Sequence, residues 1–382
     1  MVKIISDENE FNAVKHDWDS FIDANPFATV FLSHDWLSVW IKYFLRNKKG
    51  KKLFIIIEYG DNDGRIKAVA PFYAGRFFFF FKYLRFISDD YSDYLGILST
   101  GKICNVLAEI NSRLDLNFFD KNKIDIVYLK QVPEAIKEGI ALFKQNAPNT
   151  FNALIKSSGD CYYVDLRDTS KEDKFITAEG YLRRFNSKQR YNILKRVKTA
   201  EENKVEYISR KALKGERHFE AGSYMEDFFN LHQKRWNKKG GKGVFYSGKI
   251  KAFFKSLFTV LYKNGTFHLS FLEYNGKLIA GAACFDFKNT RQVYLPGFDP
   301  EYSYLHPGIV LTYHNINEAI LSGYKEFDFL KGSEDYKKRF LAIKRANYKI
   351  YLYKAKVIYM IFKLNLFLKN ELFPKIKNIF HV

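Results

Sequence analysis

The sequence predicts an α/β (α+β) protein with mixed central sheets flanked by helices, and one stretch carries most of that prediction. From Phe267 to Phe287, two apolar runs are split by Asn275-Gly276, a dipeptide suited to the positive φ angles of a two-residue hairpin. A third apolar run, Gln292 to Leu295, ends at Pro296-Gly297. An irregular loop follows, closed by Pro307-Gly308. After it Ile309, Tyr313, Ile316 and Ile320 recur at helical spacing. Gly323 stops that helix, and Glu326 to Leu330 reads as a further short strand. The order is therefore strand, strand, strand, glycine-bearing loop, helix, strand. Such a loop presents backbone N–H groups beside the positive end of the helix dipole, which suits a pyrophosphate. Taken alone, it also fits an ordinary strand-to-helix turn.

Composition bounds the remaining possibilities. A chain of 382 residues holds two or three domains, and 47% hydrophobic with 18% aromatic residues supports large cores. A net charge of +20 favours anionic partners such as nucleotide cofactors, nucleic acid or acidic lipid, or simply solubility. The three cysteines, Cys104, Cys161 and Cys284, have no metal-type spacing and cannot build a disulfide framework, so no metal and a reducing compartment are expected. The start, MVKIISDENEF, lacks the apolar core of a signal peptide. No run of about 20 uncharged apolar residues exists, so no membrane span is expected.

In the N-terminal half, Ser33 can cap a helix that places Trp36, Trp40 and Phe44 on one face. Strands are expected at Lys52 to Tyr59 and Ile66 to Tyr73, joined by the turn Asp61-Asn62-Asp63-Gly64. Five consecutive phenylalanines, Phe77 to Phe81, sit between Arg76 and Lys82. They suit a buried strand edge or hairpin, or a lipid-facing tip. Next come a helix near Cys104 to Leu114, a strand at Ile124 to Leu129, a helix at Val132 to Lys144 and a strand at Cys161 to Leu166.

Tyr181 to Ala200 holds seven Lys and Arg and no acid. It should be a helix with Leu182, Phe185, Ile193 and Val197 inward, its basic face either solvated or set to attract phosphates. Met225 to Lys238 and Lys251 to Tyr262 are further helices, separated by the flexible glycines Gly240, Gly241 and Gly243. From Lys349 to Val382 seven lysines and one acid, Glu371, are threaded through Ile, Leu, Phe and Tyr. Residues 351–382 read as a basic apolar helical tail, with Val357, Ile361, Leu364 and Leu368 on one face. It either docks on the protein or lies on an anionic membrane surface.

Two blocks, GFDPEYSYLHPGIVL (Gly297 to Leu311) and FDFLKGSEDYKKRF (Phe327 to Phe340), resemble the GNAT acyltransferases. The likeness is to their BioF2-like or CelD-like acetyltransferase branch, related to the FemABX enzymes. SDDYSDYLGIL (Ser88 to Leu98), the basic helix and LHQKRW (Leu231 to Trp236) resemble further blocks of that family. Gly96 departs from the acid usual in the first of these. The resemblance implies two GNAT-like halves, 1–160 and 161–350, the first a degenerate copy. It also implies acyl transfer from acetyl-CoA or another acyl-CoA to an amine, without a covalent enzyme intermediate.

On that basis Asp328 is the expected base or amine-orienting group, and Tyr336 the donor to the leaving thiolate. Lys337 would hold a phosphate or an acidic group of the acceptor. For Asp328 and Lys337 a structural ion pair is the alternative. Gly297, Tyr304, His306, Pro307, Gly308 and Ile309 are expected around the cofactor. Asp93, Tyr94, Arg235 and Trp236 are expected at the acceptor, unless Trp236 is simply packed in the core. The expected partners are an acyl-CoA and an amine-bearing small molecule or glycan precursor, in the cytoplasm, with peripheral contact to an anionic membrane and no nucleic acid. A FemABX-type aminoacyl-tRNA-dependent ligase and a non-catalytic scaffold of a polysaccharide pathway are the competing readings.

Overall fold

A computed structural model describes residues 1–61, 63–78, 80–100, 122–134, 151–168, 176–211 and 221–368. The chain forms two compact units, Met1–Gly159 with Ala346–Val382, and Asp160–Arg345. The helix expected near Cys104 to Leu114 lies outside the described residues. So does most of the one expected from Val132, whose first two residues instead close a strand.

The first unit is a mixed sheet built from both ends of the chain. Its strands are β1 (Val2–Ile5), β2 (Lys51–Tyr59), β3 (Ile66–Phe77), β4 (Phe81–Phe86), the short β5 (Leu98–Ser99), β6 (Ile126–Pro133) and β13 (Ile343–Tyr353). They run in the order β1-β2-β3-β4-β6-β13, with β5 on β3. The β4–β6 pair is parallel; the β1–β2, β2–β3, β3–β4 and β6–β13 pairs are antiparallel. Residues 351–353, expected to begin a helical tail, are strand instead. Their Tyr-Leu-Tyr pattern suits a pleated surface, and Tyr353 to Ile350 pair with Ile126 to Leu129 of β6.

Helices α1 (Glu8–Ala13), α2 (Lys15–Ala24) and α3 (His34–Phe44) belong to this unit. Ser33 caps α3 by accepting the Trp36 N–H. Trp36 is fully buried because its indole N–H finds the Ser88 hydroxyl at 2.8 Å. Past β13, α10 (Lys356–Phe367) lies on one sheet face. It buries Phe362 against the rings of Phe77, Tyr128 and Tyr83, at 5.0, 5.5 and 5.9 Å.

The parallel pair β4–β6 holds only over Tyr83–Arg85 and Ile126–Tyr128. Beyond it the chain fills the space with its own loop. The Leu95 N–H donates to the Gln131 carbonyl, and Arg85 clamps the buried Asp89 bidentately at 2.8 Å.

The second unit repeats this plan. Its elements are β7 (Asn152–Asp165), α4 (Ala178–Arg183), α5 (Ser187–Glu202), β8 (Glu206–Arg210), α6 (Ala221–Lys238), α7 (Gly248–Lys263), β9 (Phe267–Tyr274), β10 (Lys277–Phe287), β11 (Thr290–Phe298), α8 (Pro307–Leu321), β12 (Glu326–Lys331) and α9 (Asp335–Lys338). The strand order is β7-β12-β11-β10-β9-β8. Among the described residues of this unit only the β11–β12 pair is parallel. In both units four antiparallel strands lead to one parallel step and then an antiparallel neighbour.

Asn275 and Gly276 take φ of 50° and 72°, as their hairpin requires. The basic stretch from Tyr181 is two helices rather than one. Asn186 accepts the Gln189 N–H while the Gln189 side chain accepts the Asn186 N–H, and this capping box starts α5 afresh. One sheet face is covered by α5 and α8 through Ile193, Val197, Val310, Leu311 and Ile316. The opposite face carries a phenylalanine cluster from α6, α7 and β9, in which Phe258 stacks on Phe267 at 4.3 Å.

A buried ionic network fixes the end of the sheet at the β10–β11 turn. Arg291, fully buried, binds both oxygens of Asp286 at 2.7 Å and reaches Glu318 of α8 at 3.1 Å. Lys211 contacts the same two carboxylates at 3.5 and 2.7 Å. Burial alone would raise both carboxyls. Arg291 together with Lys211 and the neighbouring donors outweighs it, and each is held down to about 2.

Candidate active site

The second unit opens where its parallel strands part. β11 pairs with β12 through Thr290, Arg291 and Gln292 only. From Val293 onward the strands diverge, and a cavity of about 290 Å³ lies in that region. Its floor is apolar and buried, formed by Ala282, Val293, Leu311 and Phe327, with the buried Asn315 among them. The Asn315 amide donates to the Ser270 hydroxyl at 2.9 Å and to the Leu311 carbonyl at 3.0 Å, so its direction is fixed.

The rim holds the first turn of α8. His306 is in the left-handed conformation, φ 52°, and no side chain caps the helix. Ile309 and Val310 turn their N–H groups back to the His306 carbonyl, leaving Gly308 as the first N–H at the helix mouth. A Cβ at Gly308 would meet nothing within 4 Å. Three guanidinium groups line the same cavity: Arg196 of α5, Arg235 of α6 and Arg339 just after α9. Arg196 donates to the Asn192 carbonyl at 2.6 Å, and Arg235 to the Pro296 carbonyl at 2.8 Å. Among the described residues none of the three is in an ion pair, and no carboxylate lines the cavity. Guanidinium groups without an ion-pair partner beside a helix N-terminus give this rim a positive potential.

Tyr336 also lines the cavity. Burial pushes its phenol up to about 12, with Glu334 adding and Arg235 opposing. It is therefore a proton donor throughout the physiological range. Burial and the Arg196 guanidinium push the His306 imidazole down, so it is neutral near pH 7.

The other expected site residues fall in several places. Gly297, Ile309 and Arg235 line the cavity with Gly308, His306 and Tyr336, whereas Tyr304 and Pro307 do not; Tyr304 is exposed. Gly297 has a packing reason as well. A Cβ there would fall 2.4 Å from the backbone nitrogen of His232, so only glycine lets α6 approach β11 this closely. Trp236 is half-exposed and gives its indole N–H to His232 Nε2 at 3.0 Å.

Asp328 and Lys337 are buried beside the cavity wall but are not part of its lining. Oδ1 of Asp328 accepts the Leu330 N–H at 2.7 Å, and Oδ2 lies 3.6 Å from Arg345. The Lys337 ammonium donates to the carbonyls of Phe329, Leu330 and Gly332 at 3.1 to 3.3 Å and pairs with Glu334 at 3.0 Å. Together they hold an irregular turn after Asp328, in which Leu330 has φ 57°. Asp93 and Tyr94 lie in the first unit, both buried, in the loop that fills the space beyond its own parallel pair.

Arg196, Arg339, Asn315 and Thr312, which also lines the cavity, are not among the residues expected from the sequence. Signals for them were present. Arg196 is in the basic helix, Arg339 is three residues after Tyr336 and so on its side of a helical turn, and Thr312 and Asn315 follow Gly308 at helical spacing.

The site thus combines parted parallel strands, an apolar floor and a cationic, uncapped helix mouth at the rim. Residues 187–338 match the family described as acetyltransferase (GNAT) domain. Solved structures extend the likeness along the chain. FemX shares 11% identity, with 87% of this chain and 95% of that one covered at a TM-score of 0.61. A conserved protein of unknown function from Bacteroides thetaiotaomicron shares 12%, covering 92% and 100% at 0.56. L-PGS from Bacillus licheniformis shares 12%, covering 94% and 96% at 0.53. At these identities the likeness is one of fold, and it relates the fold to that of FemX. No curated protein sequence matches the chain.

Proposed function

We propose that the second unit transfers an acyl group from a CoA thioester to an amine. The observation that carries this reading is the set of three guanidinium groups, none in an ion pair, around the open N-terminus of α8, above an uncharged floor. A pyrophosphate would sit at the Gly308 N–H with Arg196 and Arg339 beside it, and the thioester arm would enter between β11 and β12. In the reaction the amine nitrogen forms a bond to the thioester carbonyl carbon and the C–S bond breaks. Tyr336 gives its proton to the leaving thiolate, and the amine proton leaves to water. Asp328 and Lys337 act as positioning residues, fixing the turn that bears the β12 wall. The acceptor is an amine on a small molecule or on a cell-envelope glycan precursor. The protein works at the cytoplasmic face of a membrane, reached through its basic tail.

Tyr336→Phe tests the proton donor. Turnover is expected to fall roughly 10²-fold with little change in the acyl-CoA Kd. Unchanged turnover would remove Tyr336 from the chemistry. Asp328→Asn is expected to act differently: a lower unfolding midpoint, with turnover per folded molecule within about threefold of the parent, because the carboxylate serves Leu330 and Arg345. A loss of roughly 10² in turnover at unchanged stability would restore Asp328 as the base.

One observation favours a second reading, an aminoacyl-tRNA donor. The outer side of α5 carries Arg190, Lys195 and Lys198 around the exposed Tyr191. That combination suits a nucleic-acid backbone and a stacked base. Thermal shift separates the two, since a ligand that binds the native state raises its melting temperature. Acetyl-CoA is expected to raise it. A shift with aminoacyl-tRNA and none with acetyl-CoA would replace the first reading by the second.

A further inference from the structure

We propose that the first unit docks on an anionic lipid bilayer through one surface, formed jointly by the tip of the β3–β4 hairpin and the outer face of α10. This deepens the tail contact proposed above and rests on it, but it does not depend on the acyl-transfer reading.

Each half of the surface is apolar where solvent reaches it. At the hairpin tip Phe80 is 86% exposed and Phe78 41% exposed. Phe78 is held at φ 44°, a conformation that a bulky side chain adopts only when its surroundings impose it. On α10 the exposed residues are Val357, Met360, Leu364 and Phe367, each more than half exposed. Their spacings of three, four and three residues make a single stripe along the helix. The other side of the helix is buried at Phe362 and Asn365, so the stripe faces away from the sheet. Scattered apolar residues on a surface are ordinary; six large ones on two adjoining elements are not.

The two halves meet. Tyr359 packs on Tyr351 and Tyr353 of β13, and Phe362 on Tyr128 of β6, Tyr83 of β4 and Phe77 of β3. The helix thus crosses the strands from β13 toward the hairpin. Phe77 is the last residue of β3 before the tip, so the stripe and the exposed phenylalanines border the same end of the sheet.

Charge selects the partner. Residues 65–88 contain five Lys and Arg and no acid, and residues 346–370 contain five Lys and no acid. Lys356 and Lys363 are exposed beside the stripe. Apolar side chains bordered by lysines match the boundary between acyl chains and anionic headgroups. A second copy of the chain fits poorly, because a twofold contact would bring two cationic faces together. No helix among the described residues is long and apolar enough to cross a membrane, so the docking is peripheral.

Flotation of the full-length protein with vesicles tests this, using phosphatidylcholine alone and an equimolar mixture with phosphatidylglycerol. The parent is expected to float with the mixture at low salt, to be released by high salt, and to ignore phosphatidylcholine alone. Phe78→Ser with Phe80→Ser, and separately Met360→Ser with Leu364→Ser, should each lower the bound fraction about tenfold, since each removes two buried apolar anchors. Lys356→Glu with Lys363→Glu should do the same without removing any apolar contact, which guards against a folding defect in the serine variants. A hairpin variant that floats like the parent would overturn the joint surface while leaving the tail contact standing. A parent that does not float with the anionic vesicles would end both. Self-association that these substitutions abolish, in a protein that does not float, would make the face a dimer interface and overturn the proposal. Acyl transfer to a soluble amine is expected to be unchanged in all variants, so failure here is separate from failure of the catalytic reading.

Discussion

Gly308→Glu is expected to remove acyl-CoA binding while leaving the fold intact. The position is open: a Cβ there meets nothing within 4 Å, and an acid in the first turn of α8 suits the helix dipole. The new carboxylate would occupy the place where an anion is expected and pair with Arg196 or Arg339 itself. It would replace an attraction for pyrophosphate by a repulsion, costing on the order of 3 kcal/mol, or about 100-fold in affinity. Calorimetry with acetyl-CoA gives the affinity, and thermal unfolding without ligand gives the stability. Undiminished binding would move the phosphate site away from α8. A lowered melting temperature would show that the glycine serves the backbone instead.

Arg291→Met is expected to cost stability on a similar scale. The guanidinium is fully buried and is the main partner of Asp286 and Glu318. Removing it leaves two carboxylates in a poorly hydrated site, with Lys211 covering part of the deficit. The loss should be about 3–5 kcal/mol by urea unfolding. Neutralising the carboxylates too, with Asp286→Asn and Glu318→Gln, should recover most of it. A loss under about 1 kcal/mol would mean that water solvates the network after all. The same pairing has a pH signature. Both carboxyls titrate near 2 in the folded protein, below the ordinary values of 3.8 and 4.5. Their contribution is therefore fully present above about pH 4.5 and is lost as pH falls from there toward 2. The Arg291→Met variant should show a weaker acid transition in that window.

What the sequence made legible was local. Asn275-Gly276 named its own hairpin, Ser33 its own cap, and the spacing from Ile309 to Ile320 its own helix, because each depends on residues within one or two turns. The block FDFLKG points to Asp328, but the direction of its carboxylate does not follow from it. That depends on the turn at Leu330, where leucine at positive φ gives no warning. Lys337 was visible beside Tyr336, while its three carbonyl acceptors come from the far side of the loop. The arginine trio converges from three separated elements, so no single window could show it. The strand character of Tyr351 to Tyr353, the end of β13, is hidden in the sequence because their partner, β6, lies more than 200 residues earlier.

That last pairing also sets an order of assembly during synthesis. The N-terminal sheet is complete only when β13 has been made, since Tyr353 pairs with Ile126. The second unit, Asp160–Arg345, lies wholly inside that interval, and the pairings among β8 to β12 are made within its own span. Domains ordinarily finish in the order in which they leave the ribosome. Here the half that begins first has to end last, and one edge of β6 stays open while the inserted half is translated. An open strand edge invites pairing with other chains. The nascent polypeptide is thus most exposed to misassembly over the stretch that encodes the inserted unit, and the last strand to emerge closes that period.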